Sequence, residues 1–342
     1  MSQRRFPAEW EDQDGVLLAW PHGDTDWQPI LDQVVPVYTE VIRQISMRET
    51  VVVLATETAG VQGLLRQAGA IMENVRLYPI ETNDTWARDF GPLAVMDSGK
   101  PHLLDFGFNG WGLKFAANHD NLATRRLHES GAFRKLPLTT TGLILEGGSL
   151  ESDGKGTILT TSACLLDPNR NPHLSRAEVE AALHGLFGAN RVLWIEHGYL
   201  AGDDTDSHID TLARLCPNDT IAHVSCDNPA DEHYAEITSM CHELQGLRNC
   251  EGMAYRLLPL PWPKPRFAPD GHRLPATYAN FLVINGAVLV PTYRDPSDAS
   301  ALEIIATAFP DREIVGIDCL PLIQQHGSLH CISMQLPRGV LA

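Results

Sequence analysis

The stretch Ser175–Phe187, with the sequence SRAEVEAALHGLF, carries the clearest helix signal of the chain. Ser175 and Glu178 have the spacing of a capping box, and apolar residues follow them at helical spacing. Short apolar runs typical of β-strands lie on both sides, at Thr157–Thr160 and Val192–Ile195. The segment therefore predicts a helix between two strands.

The same pattern recurs along the chain. Further helices are predicted at Val37–Ser46, Val61–Ala68, Ala117–His128, Glu232–Leu244 and after Ser297. Further strands are predicted at Val16–Ala19, Val51–Ala55, Val75–Ile80, Leu93–Met96, Leu143–Leu145, Thr220–Val224, Phe281–Ile284, Ala287–Val290 and Glu313–Ile317. With the first helix set aside, the helix centres fall near residues 64, 123, 181, 238 and 303, which is a spacing of about 60 residues. Five units, each with a small sheet and one outer helix, predict a closed radial array around a central channel, and the alternative is an open α/β sheet in two domains.

Composition indicates an ordinary globular protein of 342 residues, with 44% hydrophobic and 20% charged residues. The formal net charge of −17 argues against nucleic acid or an anionic membrane as a partner and is compatible with small cationic ligands. The start of the chain resembles a mature cytoplasmic protein, and no run of 18 apolar residues predicts a membrane span. The seven cysteines are never spaced as C-x-x-C, and we expect them to be reduced thiols.

A Pro-rich stretch from Pro259 to Pro275 is predicted to be a long surface loop, either a lid over a site or a plain connection between two units.

Several polar clusters interrupt the apolar pattern. The loop Asn83–Pro92 combines Asp84, Trp86, Arg88 and Asp89, and a carboxylate beside an aromatic face can bind a planar cation. The alternative for this loop is a structural ion pair between Arg88 and Asp89.

Three residues with side chains suited to catalysis recur at about the length of one repeat unit. Glu146 ends an apolar strand just before two glycines, and His208 and Asp210 stand two apart, on one face of an extended segment. Asp89, Glu146 and His208 are separated by 57 and 62 residues, so each would occupy the same place in its own unit. Cys331 comes two units later, in Gln325–Ser333, and this recurrence favours a nucleophilic cysteine over a small buried hydrophobe. No stretch has convincing metal-ligand or nucleotide-binding spacing, so neither metal nor cofactor is expected.

Taken together, these motifs resemble the agmatine deiminase family, a branch of the guanidino-modifying superfamily that also contains bacterial peptidylarginine deiminases. The resemblance covers nearly the whole chain: Pro7–Glu11, Asn83–Asp89, Phe108–Gly112, Leu145–Ser149, Asn169–His173, His208–Asp210 and His330–Cys331. It implies a five-bladed α/β-propeller (pentein) of strand-strand-helix-strand units, formed as one catalytic domain over residues 1–342. The sequence departs from the family pattern at His326–Ser328, where Gly-Gly-Asn is common, and at Asp206–Ser207, where Asn-Gly is common.

The resemblance also implies roles for individual residues. Cys331 would be the nucleophile and His208 the general acid-base residue, Asp89 and Asp210 would hold a guanidinium group, and Glu146 would orient His208 and contact the substrate. The other substrate-binding residues expected are Trp86, Asp84, Trp111, Asp204 and Asp206.

The reaction implied is hydrolysis of agmatine to N-carbamoylputrescine and ammonia, a step of putrescine biosynthesis, without metal or cofactor. The alternatives are deimination of peptidyl or free arginine, amidino transfer to an amine, and a propeller that binds polyamines without converting them. A homodimer is one assembly that the sequence allows, and the oligomeric state is left open.

Overall fold

The computed structural model describes residues 4–342. The helices are α1 Leu31–Ser46, α2 Thr58–Gln67, α3 Ala87–Phe90, α4 Gly110–Leu113, α5 Asp120–Glu129, α6 Ser162–Leu165, α7 Arg176–Phe187, α8 Tyr234–Gly246 and α9 Asp298–Ala308. The strands are β1 Arg4–Arg5, β2 Gln13–Ala19, β3 Thr50–Leu54, β4 Val75–Tyr78, β5 Leu93–Asp97, β6 Lys100–Gly107, β7 Leu138–Ile144, β8 Glu151–Ser152, β9 Thr157–Thr161, β10 Arg191–Ile195, β11 Ala213–Cys216, β12 Thr220–Val224, β13 Arg256–Leu260, β14 Arg266–Phe267, β15 Arg273–Leu274, β16 Leu282–Ile284, β17 Ala287–Thr292, β18 Glu313–Asp318 and β19 Ser333–Pro337.

The α7 helix forms as its sequence predicts. The hydroxyl of Ser175 and the carboxylate of Glu178 make the reciprocal capping-box contacts, and Gly188 ends the helix in the left-handed conformation, at φ 69°. Val179 and Leu183 are buried on the inner face. Capping therefore fixes where the helix begins and ends, and the buried apolar residues fix the face that packs.

Within the described residues, five sheets of three or four strands share one topology. In each sheet two strands pair antiparallel, and a helix then leads to a third strand that pairs parallel: β5-β6-β7, β8-β9-β10, β11-β12-β13, β16-β17-β18 and β19-β2-β3. A parallel neighbour requires a crossover connection, which the helix supplies. The expected α/β class is confirmed, and the C-terminal strand β19 pairs with β2 from the start of the chain.

The assignment of helices to units needs one correction. The helix-spacing argument set the first helix aside and gave Val61–Ala68 to the first unit. In the structure α1 is the crossover between the parallel strands β2 and β3, and α2 leads on to an additional edge strand, β4. The extra strand and helix lengthen this unit. The regular spacing therefore selected α2 as the helix of the unit, although α1 is its crossover.

The Pro-rich stretch is also more ordered than predicted. It begins inside a strand, because Pro259 belongs to β13, and it contains the short hairpin β14–β15. Since β13 pairs only with β12, it is an edge strand, where a residue without a backbone N–H is tolerated.

The central strands form the core. All residues of β12 and four of the five in β3 are buried, Val51–Leu54 among them. No helix among the described residues has the length and apolarity that crossing a membrane requires.

Candidate active site

The site is built from the segments that immediately precede the first strand of each sheet. Asp89 precedes β5, Glu146 precedes β8, His208 precedes β11, Asn280 precedes β16 and Cys331 precedes β19. These residues come from five separate parts of the chain and are brought together by the repeated topology. Four of them were predicted from the sequence, and Asn280 was missed.

A cavity of about 470 Å³ lies above these residues. Six of the predicted residues line it: Asp84, Trp86, Asp89, Trp111, Asp204 and Cys331. The remaining lining residues are Asp26, Phe115, Thr205, Gln325, His326 and Gly327. Four aspartates and no lysine or arginine therefore face the cavity, which makes it a site for a cation.

Cys331 lies at the floor and is 6% exposed. Asn280 donates from Nδ2 to its Sγ at 3.2 Å and accepts, through Oδ1, the backbone N–H groups of His330 and Cys331 at 3.0 and 3.3 Å. The thiol lies 3.8 Å from Asp210 Oδ2. Burial, and then the charges of Asp210 and Asp89, raise the pKa of the Cys331 thiol well above its usual value. In the free protein this cysteine is a protonated thiol held in place by one amide side chain.

His208 lies behind the lining residues, fully buried. Its Nδ1 is 3.7 Å from Asp89 Oδ1 and its Nε2 is 3.9 Å from Glu146 Oε2, so neither ring nitrogen has a hydrogen-bond partner within the described part of the chain. Burial opposes a charge on the ring, but Asp89 and then Cys164 raise the pKa of His208 well above its usual value. A charged imidazole with unsatisfied N–H groups is suited to donate a proton to a bound group.

Asp89 is held by two neutral donors. The backbone N–H of Gly148 donates to Oδ1 at 3.1 Å, and the indole N–H of Trp111 donates to Oδ2 at 2.9 Å. Burial raises the pKa of Asp89 to about 6, against the opposing effect of His208. The alternative ion pair with Arg88 does not form, because Arg88 pairs with Glu9 instead.

Gly148 leaves the space that brings the polar groups together. A Cβ atom at this position would lie 2.6 Å from His208 Nδ1 and 3.0 Å from both Asp210 Oδ2 and Asp89 Oδ1. Real Cβ contacts of that length essentially do not occur, so a side chain here would displace the site. The glycines after Glu146 thus allow the close approach that the sequence predicts.

Glu146 is fully buried and paired with Arg170, whose Nε lies 2.8 and 3.0 Å from its two carboxylate oxygens. Burial works against ionisation, but His208 and Arg170 hold the pKa of Glu146 below its usual value. Arg170 belongs to the Asn169–His173 motif, for which the sequence suggested no role.

Asp206 does not line the cavity, contrary to its expected role in substrate binding. Its carboxylate is bound by Arg170 Nη1 at 2.8 Å and by Lys114 Nζ at 2.7 Å. The carboxylate of Asp206 is therefore already paired with two cations, and Asp204 reaches the cavity instead.

The mouth of the cavity carries the other carboxylates. Burial raises the pKa of Asp84 to about 6, with a further contribution from Asp26, and burial also raises that of Asp204. His326 Nδ1 hydrogen-bonds the carbonyl of Gly202 at 2.5 Å, and its ring stacks on His272 at 5.4 Å between centroids.

Both departures from the family pattern have left-handed backbone. Asp206, Ser207 and His326 have φ angles of 65°, 66° and 69°. Glycine and asparagine adopt this conformation at low cost, which accounts for their frequency at such positions.

Two groups of potential metal ligands lie near the site: Glu146, Cys164 and His208, and also Glu9, Glu151 and His330. Each group comes from distant parts of the chain, so sequence spacing could not indicate it. Arginines already bind the carboxylates in both groups, Arg170 in the first and Arg214 in the second.

Fold and site together define a class of α/β protein in which a buried cysteine, a histidine and paired carboxylates form the floor of an acidic cavity. Comparison with known proteins agrees with this class. The family model of the Porphyromonas-type peptidyl-arginine deiminase matches residues 5–337, and the chain belongs to that family.

Individual relatives carry two different descriptions. Agmatine deiminase of Pseudomonas aeruginosa (strain LESB58) is 32% identical, over 97% of this chain and 95% of its own. A solved structure from Porphyromonas gingivalis, provisionally assigned as an arginine deiminase, is 48% identical with a TM-score of 0.94, over 99% of this chain and 100% of its own. A cysteine-to-serine variant of C. jejuni agmatine deiminase with substrate bound is 37% identical with a TM-score of 0.91, over 98% of this chain and 97% of its own.

Proposed function

We propose that the protein is an agmatine deiminase, which hydrolyses agmatine to N-carbamoylputrescine and ammonia. The observation that carries this proposal is the charge of the cavity: Asp26, Asp84, Asp89 and Asp204 line it, and no lysine or arginine does. Agmatine is a dication with a guanidinium at one end and an ammonium at the other. Asp89 near Cys331 suits the first, and the carboxylates at the mouth suit the second.

The same charges disfavour free arginine. Its α-carboxylate would enter a cavity lined by four aspartates with no lysine or arginine to receive it. A peptidyl arginine would bring a neutral backbone in place of the ammonium and would leave the carboxylates at the mouth without a partner. Carboxylates gathered at one mouth repel one another unless a cation lies among them, which favours the dication.

In the first half of the reaction the guanidinium lies between Asp89 and Asp210. Its positive charge offsets the two carboxylates that keep the thiol protonated, so the thiol of Cys331 releases its proton to solvent when substrate binds, and the ammonia that leaves later takes up this proton in solution as ammonium. The thiolate then adds to the guanidinium carbon and forms a C–S bond. His208, charged at neutral pH, donates a proton to the departing nitrogen, and ammonia leaves.

In the second half a water molecule attacks the amidino carbon bound to sulfur. His208, now neutral, accepts a proton from this water, the C–S bond breaks, and the thiol of Cys331 is restored. Glu146 remains ionised beside Arg170 and orients the histidine for both transfers. The product, N-carbamoylputrescine, then leaves the site with its newly formed urea group.

We also propose that the five sheets are the blades of an α/β-propeller, formed by residues 1–342 as one catalytic domain around the cavity. The shared topology of the sheets and the pairing of β19 with β2 support this arrangement. Cytoplasmic location is proposed from the seven free cysteines, which stay reduced there. A homodimer stays a prediction.

The proposal is tested by ammonia release from agmatine, free arginine and an N-acylated arginine amide, with and without an acceptor amine. We expect kcat/KM for agmatine to exceed the other two at least a hundredfold, about 3 kcal/mol. Butylguanidine lacks the amine of agmatine, so the difference in kcat/KM between the two substrates measures what the carboxylates at the mouth contribute. Asp204→Asn should lower kcat/KM for agmatine about tenfold and leave kcat/KM for butylguanidine unchanged. Asp311 is an exposed aspartate outside the cavity, so Asp311→Asn should change neither value.

Each other outcome identifies an alternative. Preference for the acylated arginine amide would make the protein a peptidylarginine deiminase, and preference for free arginine an arginine deiminase. Product formation that requires the acceptor amine would indicate amidino transfer. Tight binding of agmatine without ammonia release would leave a polyamine-binding protein.

A further inference from the structure

The histidine next to the cysteine is not free for acid-base chemistry. His330 is fully buried, and each ring nitrogen faces a carboxylate oxygen: Nδ1 lies 2.7 Å from Asp210 Oδ2, and Nε2 lies 2.6 Å from Glu9 Oε1. An ionised carboxylate accepts hydrogen bonds and does not donate them, so both nitrogens must donate. A ring that donates from both nitrogens is an imidazolium.

The charges around His330 support this protonation state. Arg214 bonds Glu9 and Glu151 at 2.5 Å each, and Arg88 Nη1 lies 3.3 Å from Glu9. Burial raises the pKa of Glu151 to about 7 against the effect of Arg214, so this carboxylate does not carry a fixed charge at neutral pH. Glu9 and Asp210 have lowered pKa values, and these two ionised carboxylates are the ones that the ring nitrogens of His330 face.

Asp210 depends on His330 more than on any other group. Its Oδ2 takes the short bond from His330 and the longer 3.8 Å contact from the Cys331 thiol. Its Oδ1 has no hydrogen-bond partner among the described residues and is therefore available to a substrate N–H. Removal of the imidazole would leave this buried carboxylate with a thiol as its only side-chain donor.

Asp89 and Asp210 provide a matched comparison. Both are buried beside Gly148, yet Asp89 receives neutral donors and Asp210 receives a charged one. Burial raises the pKa of Asp89 to about 6, whereas in Asp210 burial is outweighed by the bond and charge of His330 together with the charges of His208 and Arg214, and the pKa is lowered. The difference lies in the partner of each carboxylate.

We propose that His330 is a positioning residue: held as an imidazolium between Asp210 and Glu9, it keeps Asp210 ionised and aimed at the guanidinium beside Cys331. This inference rests on the proposed function, since the group that Asp210 serves is the substrate's guanidinium. His330 lies between two cavities: its neighbour Cys331 lines the first, and it bonds Glu9. Glu9 lines a second one, of about 550 Å³, that shares no lining residue with the first.

The test is the pH profile of kcat/KM for agmatine in His330→Asn and His330→Gln, from pH 5 to 9. Without the imidazolium, Asp210 takes up a proton more readily, so we expect the acid limb to move upward by about one pH unit or more. The loss of activity should therefore be larger at the acid end of the profile than at pH 8.5. His223→Asn replaces a buried histidine outside both cavities and should leave the profile unchanged.

A uniform drop in kcat/KM with an unchanged profile would mean that His330 only supports the fold, and would overturn the proposal. If neither variant folds, ring ¹⁵N NMR of the parent at pH 7.5 decides. The proposal requires protons on both ring nitrogens, and a neutral ring refutes it. His330–Cys331 is the one His-Cys step of the sequence, so selective labelling can assign this ring. The NMR result does not depend on turnover, and a parent inactive on agmatine would refute the proposed function alone.

Discussion

Replacing Asp89 with asparagine separates catalysis from folding. The pKa of Asp89 is raised to about 6 from 3.8, a difference of about 2 units, so its ionised form destabilises the fold by about 3 kcal/mol at 1.36 kcal/mol per unit. Asparagine removes that penalty at neutral pH. It also places an amide N–H₂ against Gly148 N–H or Trp111 Nε1, and one unsatisfied donor costs about 1–2 kcal/mol.

The difference in stability between Asp89→Asn and the parent changes sign with pH. Between about pH 4 and pH 6 the folded protein holds a proton on Asp89 that the unfolded chain has released, so the parent loses stability as pH rises through this window. Above pH 6 Asp89→Asn should be more stable than the parent by about 1–2 kcal/mol. Near pH 4 it should be less stable by a similar amount, because only the lost hydrogen bond remains.

Melting temperature measures this difference without ligand. An unfolding entropy of about 2.1 cal/mol/K per residue over 342 residues makes 1 kcal/mol equal to about 1.4 °C. We expect Asp89→Asn to melt about 1–3 °C above the parent at pH 7.5 and about 1–3 °C below it at pH 4. Its kcat/KM for agmatine should fall at least a hundredfold, since a charge-assisted bond of about 1.5–3 kcal/mol and the orientation of the reacting carbon are lost together.

Two matched variants complete the experiment. Glu49→Gln replaces another buried carboxylate whose pKa burial raises, to about 8, and it lies outside the cavity, so activity should not change. Asp210→Asn should lose activity as Asp89→Asn does but melt below the parent at pH 7.5, because the imidazole of His330 loses its partner. If Asp89→Asn instead melts several degrees below the parent at pH 7.5 and keeps more than a tenth of its activity, Asp89 is a structural group and the reasoning fails.

Four further outcomes are expected. Cys331→Ala should abolish ammonia release while the five cysteines other than Cys164 can each be replaced with most activity kept; residual turnover within tenfold of the parent would exclude Cys331 as the nucleophile. Cys164→Ala should lower kcat/KM by about two- to tenfold, because its sulfur lies beside Glu146 and His208 and contributes to the raised pKa of that histidine; an unchanged pH profile and rate would show that the contact has no effect. Asn280→Leu should reduce kcat about a hundredfold or more with KM little changed, since it removes the donor to the sulfur and both loop N–H contacts. EDTA should leave turnover intact, and inhibition reversed by zinc would contradict a thiol mechanism.

Periodicity predicted the helices and central strands well because the same residues that form them are buried. The central strand β6 was missed although Leu103 and Leu104 are buried in it, and two other missed strands lack that signal. β11 has four residues and includes Arg214, which is 1% exposed and sits in an ion-pair cluster, a placement that an arginine rarely adopts. β13 contains Pro259, which normally argues against a strand and is tolerated here only at the sheet edge.

The spacing of polar residues predicted most of the site but not its fourth contributor. Asn280 stands 72 residues after His208 and 51 before Cys331, so the insertion of the Pro-rich segment hides the period there. A search of the unit between them for a polar residue just before an apolar strand would have found it. The roles of Arg170 and Glu9 could not be predicted, since each acts only on a partner distant in the chain.

The site contains carboxylates that look equivalent in sequence and differ in what binds them. Asp89 receives hydrogen bonds from neutral donors, and its pKa stays raised although His208 lies 3.7 Å away, so its charge is only partly compensated until a cation enters. Asp210 is compensated beforehand by His330, so it presents a fixed negative charge to that cation. The thiol between them remains protonated for as long as both charges act on it. Entry of a guanidinium therefore does two things at once: it satisfies Asp89, and it lowers the cost of a thiolate next to the carbon to be attacked. An uncharged molecule of the same shape would do neither, so selectivity for a cation at the reacting end follows from how the nucleophile is activated.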